Sequence, residues 1–298
     1  MSEIDLVVPY VDSSDKNWQE LFAQYNPIKE KEVESINAKN RFRGEGNFFR
    51  FFFRCVEKNM PWINNVFLLV QSESQVPEWL DTTKVKVILH EEFIPKEYLP
   101  TFNSCTIEMF LWNIPGLSSH FIYANDDVFP LKPLKVRDFF DYSKVKENFL
   151  YRSAPGMFGQ HCQNCFDLIF KGARKFTCAD HELKPYITSA IKRCYFENKK
   201  KIDKSITQFR NSKNYNCFIY SLYQLQMNLV QRAEIKSCYT STYSLRLLTY
   251  ADVLCINDTS NLNNVYENIE LKKWFTERFP KKCKYELTIN SEINENQY

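Results

Sequence analysis

Three mostly apolar runs in this chain end in carboxylates. Ile4 to Val11 runs into Asp12 and Asp15, Phe121 to Ala124 into Asn125-Asp126-Asp127, and Val253 to Ile256 into Asn257-Asp258. Short aliphatic runs closed by polar clusters read as buried strands. In open α/β sheets, ligands gather at the carboxyl ends of the strands, where helix N-termini and loop side chains converge. Adjacent carboxylates there make a hard-oxygen site for Mg²⁺ or Mn²⁺, an ion able to bridge a diphosphate. Asp is common in turns, and a single such turn would carry no weight. Three with the same polarity favour a ligand site.

Cations that could meet a phosphate are present. Arg41, Arg43, Arg50 and Arg54 stand among phenylalanines, and an arginine on an apolar stretch either snorkels to solvent or receives an anion. Arg50 and Arg54 are four apart, so on a helix they share a face and could meet two oxygens of one phosphate. His181, one of four histidines, precedes an expected helix. It also belongs to a second pattern: Cys162-x2-Cys165 and Cys178-x2-His181 are separated by twelve residues, a spacing that structural zinc sites use. In that reading His181 is a metal ligand and not a proton-transfer group.

An alternating α/β half is expected to position these groups. It comprises a strand at Ile4 to Val11, a helix from about Asn17 into Lys29 to Glu34, and a helix from Asn47 to Asn59 halted by Met60-Pro61. Strands at Val66 to Gln71 and Val85 to Leu89, a helix at Ser104 to Trp112 and the strand Phe121 to Ala124 complete it. Beyond about residue 150 the pattern turns mainly helical. Helices are expected at Tyr186 to Glu197 and Tyr215 to Leu229, separated by the charged run Asn198 to Lys204. The strand Val253 to Ile256 and an amphipathic segment from Val265 to Phe279 follow. The expected class is α/β, a Rossmann-like mixed sheet flanked by helices, with a mainly helical second half.

Composition narrows the partners. At 298 residues the chain is one large domain or two modest ones. Its 39 Lys+Arg against 36 Asp+Glu, a net +3, include no basic arm of the kind that tracks nucleic acid. Only 6 glycines argue against a glycine-rich phosphate loop. No run approaches the ~20 apolar residues of a membrane span. The N-terminus lacks the basic-then-apolar layout of a signal peptide, which makes the cytosol the expected compartment, and the scattered cysteines are expected to be reduced thiols.

The motifs together resemble the Stealth family of sugar-phosphate transferases, which make bacterial capsular polysaccharides and include the enzyme that tags lysosomal glycoproteins. The first family region is similar to Ile4 through Trp18. The second resembles Arg41-Phe42-Arg43, Arg50 to Trp62, Gln75 to Leu80, Leu99 to Ser104, Ile107-Glu108 and Ile114 to Val128. The third resembles His181-x3-Pro185, Ile206 to Arg210 and Ser221 to Gln224; the fourth, Cys255 to Thr259 with a trailing Phe279-Pro280. Gly44-Glu45-Gly46-Asn47 stands where relatives usually carry acidic residues after the Arg-Phe-Arg element.

The resemblance implies a nucleotide-sugar-transferase-like fold, with 1–150 as the nucleotide-sugar and metal-binding half and 151–298 completing the same active site. It implies transfer of a hexose 1-phosphate from a nucleotide sugar, usually UDP-linked and with UDP-GlcNAc as the candidate donor, to a glycan or lipid-linked acceptor. On this reading Asp126 and Asp127 hold Mg²⁺ or Mn²⁺, with Asp258 or Asp12 as additional or supporting ligands. His181 is the base, which sets the zinc reading below it. Arg210 and Arg41 face the phosphates, with Arg43 and Arg50 as further cations, and Asn103 and Asn125 orient the sugar or its loop. Peripheral contact with the inner face of the membrane is a further expectation. Two alternatives are a metal-dependent glycosyltransferase that releases UDP and a non-catalytic carbohydrate- or nucleotide-binding module.

Overall fold

The computed structural model describes residues 3–26, 48–149, 156–171, 182–257 and 265–288. The chain opens with strand β1 (Ile4–Pro9). The Asp15 carboxylate then accepts the Asn17 and Trp18 amides and starts helix α1 (Lys16–Tyr25), satisfying two of the amides a helix leaves without partners. Helix α2 (Phe48–Asn59) buries Phe49, Phe52, Phe53 and Val56 on one side and stops before Met60-Pro61, as a following proline requires. Strands β2 (Val66–Val70) and β3 (Val85–Leu89) lead into a single turn, α3 (His90–Phe93), and helix α4 (Ser104–Met109), capped by the Asn103 side chain. Next come β4 (His120–Tyr123), β5 (Val128–Pro130), the turn α5 (Val136–Phe139) and the strands β6 (Phe140–Asp141) and β7 (Lys144–Lys146). The second half supplies α6 (Gly156–Phe170), β8 (Lys184–Ile187), α7 (Thr188–Ser205) and α8 (Phe218–Gln226). It ends with β9 (Val230–Gln231), β10 (Ser237–Thr240), α9 (Leu245–Tyr250), β11 (Val253–Ile256) and α10 (Ile269–Arg278).

The main sheet has the order β3-β2-β1-β4-β8. Its first four strands are parallel and β8 runs antiparallel to β4. Alternate residues point to opposite faces: Leu6, Val8, Leu68 and Ile122 enter a core shared with α2, β5, β11 and α10, while Val7, Phe67, Leu69 and Phe121 enter another beneath α6, α7 and α8. Cover on both faces is why β2 and, apart from Asp5, β1 are continuously apolar. The strand order reverses at β1, with β2 and β3 laid to one side and β4 to the other. The crevice beyond the exits of β1 and β4 is therefore the topological switch point where sheets of this kind take ligands. Two small sheets, β10-β11-β5 and β6-β7-β9, flank the main one. The α/β class and helix-rich second half follow the expectation.

The expected helices Ser104 to Trp112 and Tyr215 to Leu229 are shorter, Ser104–Met109 and Phe218–Gln226, and three further differences are larger. Asn198 to Lys204 does not separate two helices but completes α7. The pairs Arg193 with Glu197 and Lys199 with Asp203 are each four residues apart, and Ile202 is fully buried, so the charges form the solvated side of an amphipathic helix. Tyr186 lies in β8, not in a helix. Pro185 pairs with Ile122 there, a place open to proline because β8 is an edge strand. The first helix ends at Tyr25, and Lys29 to Glu34 lies outside the described residues.

Asp5, 0% exposed, ties the opposite end of the sheet. Its Oδ1 accepts the Asn65 amide at 3.1 Å and its Oδ2 the Ser118 amide at 2.8 Å, joining β1 to the segments that lead into β2 and β4. Asp5→Ala leaves these amides without their acceptor, at about 1–3 kcal/mol each. A urea titration should show a markedly lower midpoint; an unchanged midpoint would refute this role.

Candidate active site

Beyond β4 the chain turns at Asn125, whose carbonyl accepts the Val128 amide at 3.2 Å, and this turn carries Asp126 and Asp127. Because β11 pairs with β5, Cys255 opposite Val128, the exit of β11 reaches the same turn. The Ile256 amide donates to the Asp127 carbonyl at 2.9 Å and Asn257 Nδ2 donates to Asp127 Oδ2 at 3.0 Å. Two of the three acid-tipped strands therefore meet. Asn257 is a positioning residue that its place in the sequence put in view but gave no role.

Loss of hydration in the crevice, and beyond it the charge of Asp127, push Asp126 up to about 8. Crowded negative charge is what a divalent cation relieves, and two hard carboxylate donors suit Mg²⁺ or Mn²⁺. Among the described residues, no group of three or more His, Cys, Asp or Glu could hold a metal ion. Asp258 lies outside the described residues.

The exit of β1 is organised differently. Asp12 Oδ1 accepts from the Ser14 amide and hydroxyl at 2.8 and 2.7 Å, and its amide donates to Gln75 Oε1 at 2.6 Å. Gln75 Nε2 donates to Asp15 Oδ2 at 2.7 Å and Ser74 Oγ to the same oxygen at 2.9 Å. Burial works to raise the Asp15 pKa, but hydrogen bonds from Gln75, Ser74 and the Trp18 and Asn17 amides outweigh it and hold it below the ordinary value. These two carboxylates shape the turn into α1.

Arg210 lies between α7 and α8, and its Nη2 donates to Ser104 Oγ at 2.7 Å. Its loop is held by Asn103, 0% exposed. Asn103 Nδ2 donates to the Thr207 carbonyl at 3.0 Å and Asn214 Oδ1 at 3.1 Å, while its Oδ1 accepts the Cys105 amide. Asn103 thus orients the loop. Phe209 stacks on Phe102, with ring centroids 5.1 Å apart, and both meet Phe22 of α1, so the loop is seated beside the exit of β1. His161, not singled out from the sequence, lies with Nε2 2.7 Å from the Asn211 carbonyl. Burial lowers its pKa, which makes it a neutral strut.

Arg50 and Arg54 share a face of α2, but the oxygens they meet belong to Glu286 and not to a phosphate. Arg54 Nε and Nη2 donate to Oε1 and Oε2 at 2.6 and 2.9 Å. Arg50 Nη1 is 3.7 Å from Oε2, and its guanidinium lies over the Trp79 ring. A planar guanidinium fork matches a carboxylate two bonds at a time, so the chain supplies the anion itself. Cys162 and Cys165 are buried on α6, facing the core, and burial pushes Cys162 up to about 11 and Cys165 upward as well. Arg41, Arg43, Cys178 and His181 lie outside the described residues.

The raised Asp126 pKa has a signed consequence. Between about 4, the ordinary Asp value, and about 8, the folded chain keeps a proton that the unfolded chain has lost, so this group makes stability fall as pH rises through that window. In chelator-containing buffer, Asp126→Asn should raise Tm relative to the unmodified chain by an amount that grows from pH 4 to pH 8. A pH-independent difference would contradict the assignment.

Residues 41–148 match the family model Stealth protein CR2, conserved region 2. The chain is similar to the capsular polysaccharide phosphotransferase WcwK of Streptococcus pneumoniae, 27% identical over 333 residues that cover 96% of this chain and 99% of that protein. It is also similar to the exopolysaccharide phosphotransferase cps2G of Lactiplantibacillus plantarum, 43% identical over 154 residues. That second match spans 51% of this chain and less than half, 43%, of the relative's length. Among solved structures, a galactosyltransferase LgtC in complex with donor and acceptor sugar analogs is matched at a TM-score of 0.43 and 10% identity, over 94% of this chain and 98% of that one. By a conserved region over residues 41–148 and an end-to-end likeness to a capsular polysaccharide phosphotransferase, the chain is similar to the Stealth proteins.

Proposed function

We propose that the chain moves a sugar 1-phosphate from a nucleotide sugar to a hydroxyl of a saccharide acceptor, forming a phosphodiester in capsular or exopolysaccharide synthesis while a nucleoside monophosphate leaves. The observation that carries this reading is the Asp126 and Asp127 pair at the switch point, two crowded carboxylates of which burial and the neighbouring charge push Asp126 up to about 8, in a chain whose relatives are phosphotransferases. The donor is UDP-linked, with UDP-GlcNAc as the first to test. The acceptor is a glycan or a lipid-linked saccharide, met at the inner face of the membrane.

Bound Mg²⁺ or Mn²⁺ supplies Lewis acidity toward a diphosphate. Asp126 and Asp127 would hold that ion, with Asp258 as a further donor, and Asn257 keeps the Asp127 carboxylate turned by its hydrogen bond. Arg210 faces the negative charge that develops at phosphorus, with Arg41 and Arg43 as further cations on the diphosphate. Asp12 and Asn125 border the donor. His181 takes the proton of the attacking hydroxyl, for which an ordinary pKa near ~6.5 is suited at neutral pH.

Chromatography of the spent donor tests the proposal. Phosphosugar transfer releases UMP, whereas glycosyl transfer releases UDP and a binding module releases neither. Asp127→Asn should reduce turnover by about 10²-fold or more with its Tm retained, and chelation should abolish turnover until Mg²⁺ or Mn²⁺ is restored. Near-normal rates in the variant would remove Asp127 from the mechanism.

A further inference from the structure

A cleft of about 490 Å³ opens between β7, the start of β8 and the segment joining β9 to β10, lined by Glu147, Phe149, Glu182, Arg232 and Ser237 among others. Its volume is within the ~300–1,000 Å³ of small-ligand sites. Glu147 is 4% exposed and sits where the two sheets meet. Its amide donates to the Gln231 carbonyl at 3.0 Å. Its Oε1 accepts from Ser221 Oγ at 2.6 Å and from Lys184 Nζ at 3.3 Å. Oε2 is equally buried and has no hydrogen-bond partner among the described residues. A buried carboxylate oxygen without a donor is costly, and a ligand hydroxyl is a group that would satisfy it.

The charges around that oxygen select the kind of ligand. Lys184, 5% exposed, stands between Glu147 at 3.3 Å and Glu182 at 3.6 Å, so its charge is answered within the protein. With Arg232 also lining the cleft, the two carboxylates and two cations around it carry no net charge, which favours a neutral molecule rich in hydroxyls over a phosphate. Phe149, Leu225, Val230 and Ile235 add apolar wall, the usual floor against which a few polar groups fix orientation. Both walls lead to the carboxylate pair. Lys184 pairs with Tyr123, three residues before Asp126. Ser237 begins β10, whose Thr240 pairs with Ile256, and the Ile256 amide is bonded to the Asp127 carbonyl. Three strand residues span roughly 10 Å.

We infer that this cleft binds the saccharide acceptor, with Glu147 Oε2 accepting one of its hydroxyls and the sugar extending from there toward Asp126 and Asp127. The inference rests on the phosphotransfer reading for the identity of the ligand as acceptor, and on the cleft alone for its being a saccharide.

The test uses methyl glycosides of glucose, galactose and N-acetylglucosamine as probes in saturation-transfer NMR, with a parallel titration of UMP in magnesium. The unmodified chain should bind at least one glycoside. Glu147→Gln, which exchanges the carboxylate for an amide, should weaken that binding about tenfold or more. Ser237→Trp, which fills the cleft from a residue that makes none of the Glu147 hydrogen bonds, should do the same and guards against a folding defect in the first variant. UMP affinity should be unchanged in both. Equal glycoside binding in all three proteins, binding to none of the probes by the unmodified chain, or parallel loss of UMP affinity would overturn the assignment. Donor chemistry is scored separately: release of UDP, with glycoside binding still lost in both variants, would keep the saccharide cleft and remove the phosphotransfer reading.

Discussion

Two carboxylates on consecutive residues repel each other, and the fold holds Asp126 and Asp127 together where hydration is scarce. The cost is visible in Asp126, whose proton is retained to about pH 8. Such a pair persists only if its surroundings determine its geometry, which here means β4 on one side and β11 with Asn257 on the other. The proposed cation binding and the proposed placing of a diphosphate both depend on that enforced closeness of like charges.

The strand order explains why the pair stands at a crevice. Reversal at β1 leaves a gap beyond the exits of β1 and β4, and each rim of it is built by a different device. On one rim, Gln75 and Ser74 close the turn into α1. On another, Asn103 and the Phe102 and Phe209 stack seat the Arg210 loop. The second half of the chain contributes at every step, through β8 in the main sheet, through β11 against β5, and through Arg210.

Much of this was legible in the sequence where the determinant is local. The limits of β3 and β11 and the acidic turn after β4 follow from apolar runs and their polar ends. What was not legible depends on partners distant in the chain. Arg50 and Arg54 do share a helix face, but the carboxylate they meet, Glu286, is 232 residues from Arg54, and no spacing rule reaches so far. The charged end of α7 read as an interruption because its pairing residues lie four apart on one solvated side, around the single apolar anchor Ile202. Strand β8 was hidden by Pro185, since proline marks turns unless the strand lies at a sheet edge. The orphaned oxygen of Glu147 depends on three elements closing around it and leaves no local trace.

The most direct measurement is anomalous scattering from manganese in crystals grown with a nucleotide sugar. The account predicts a single strong peak coordinated by the Asp126 and Asp127 carboxylates and by oxygens of the diphosphate. A rim without manganese, or a diphosphate bound at a distance from these two residues, would contradict it.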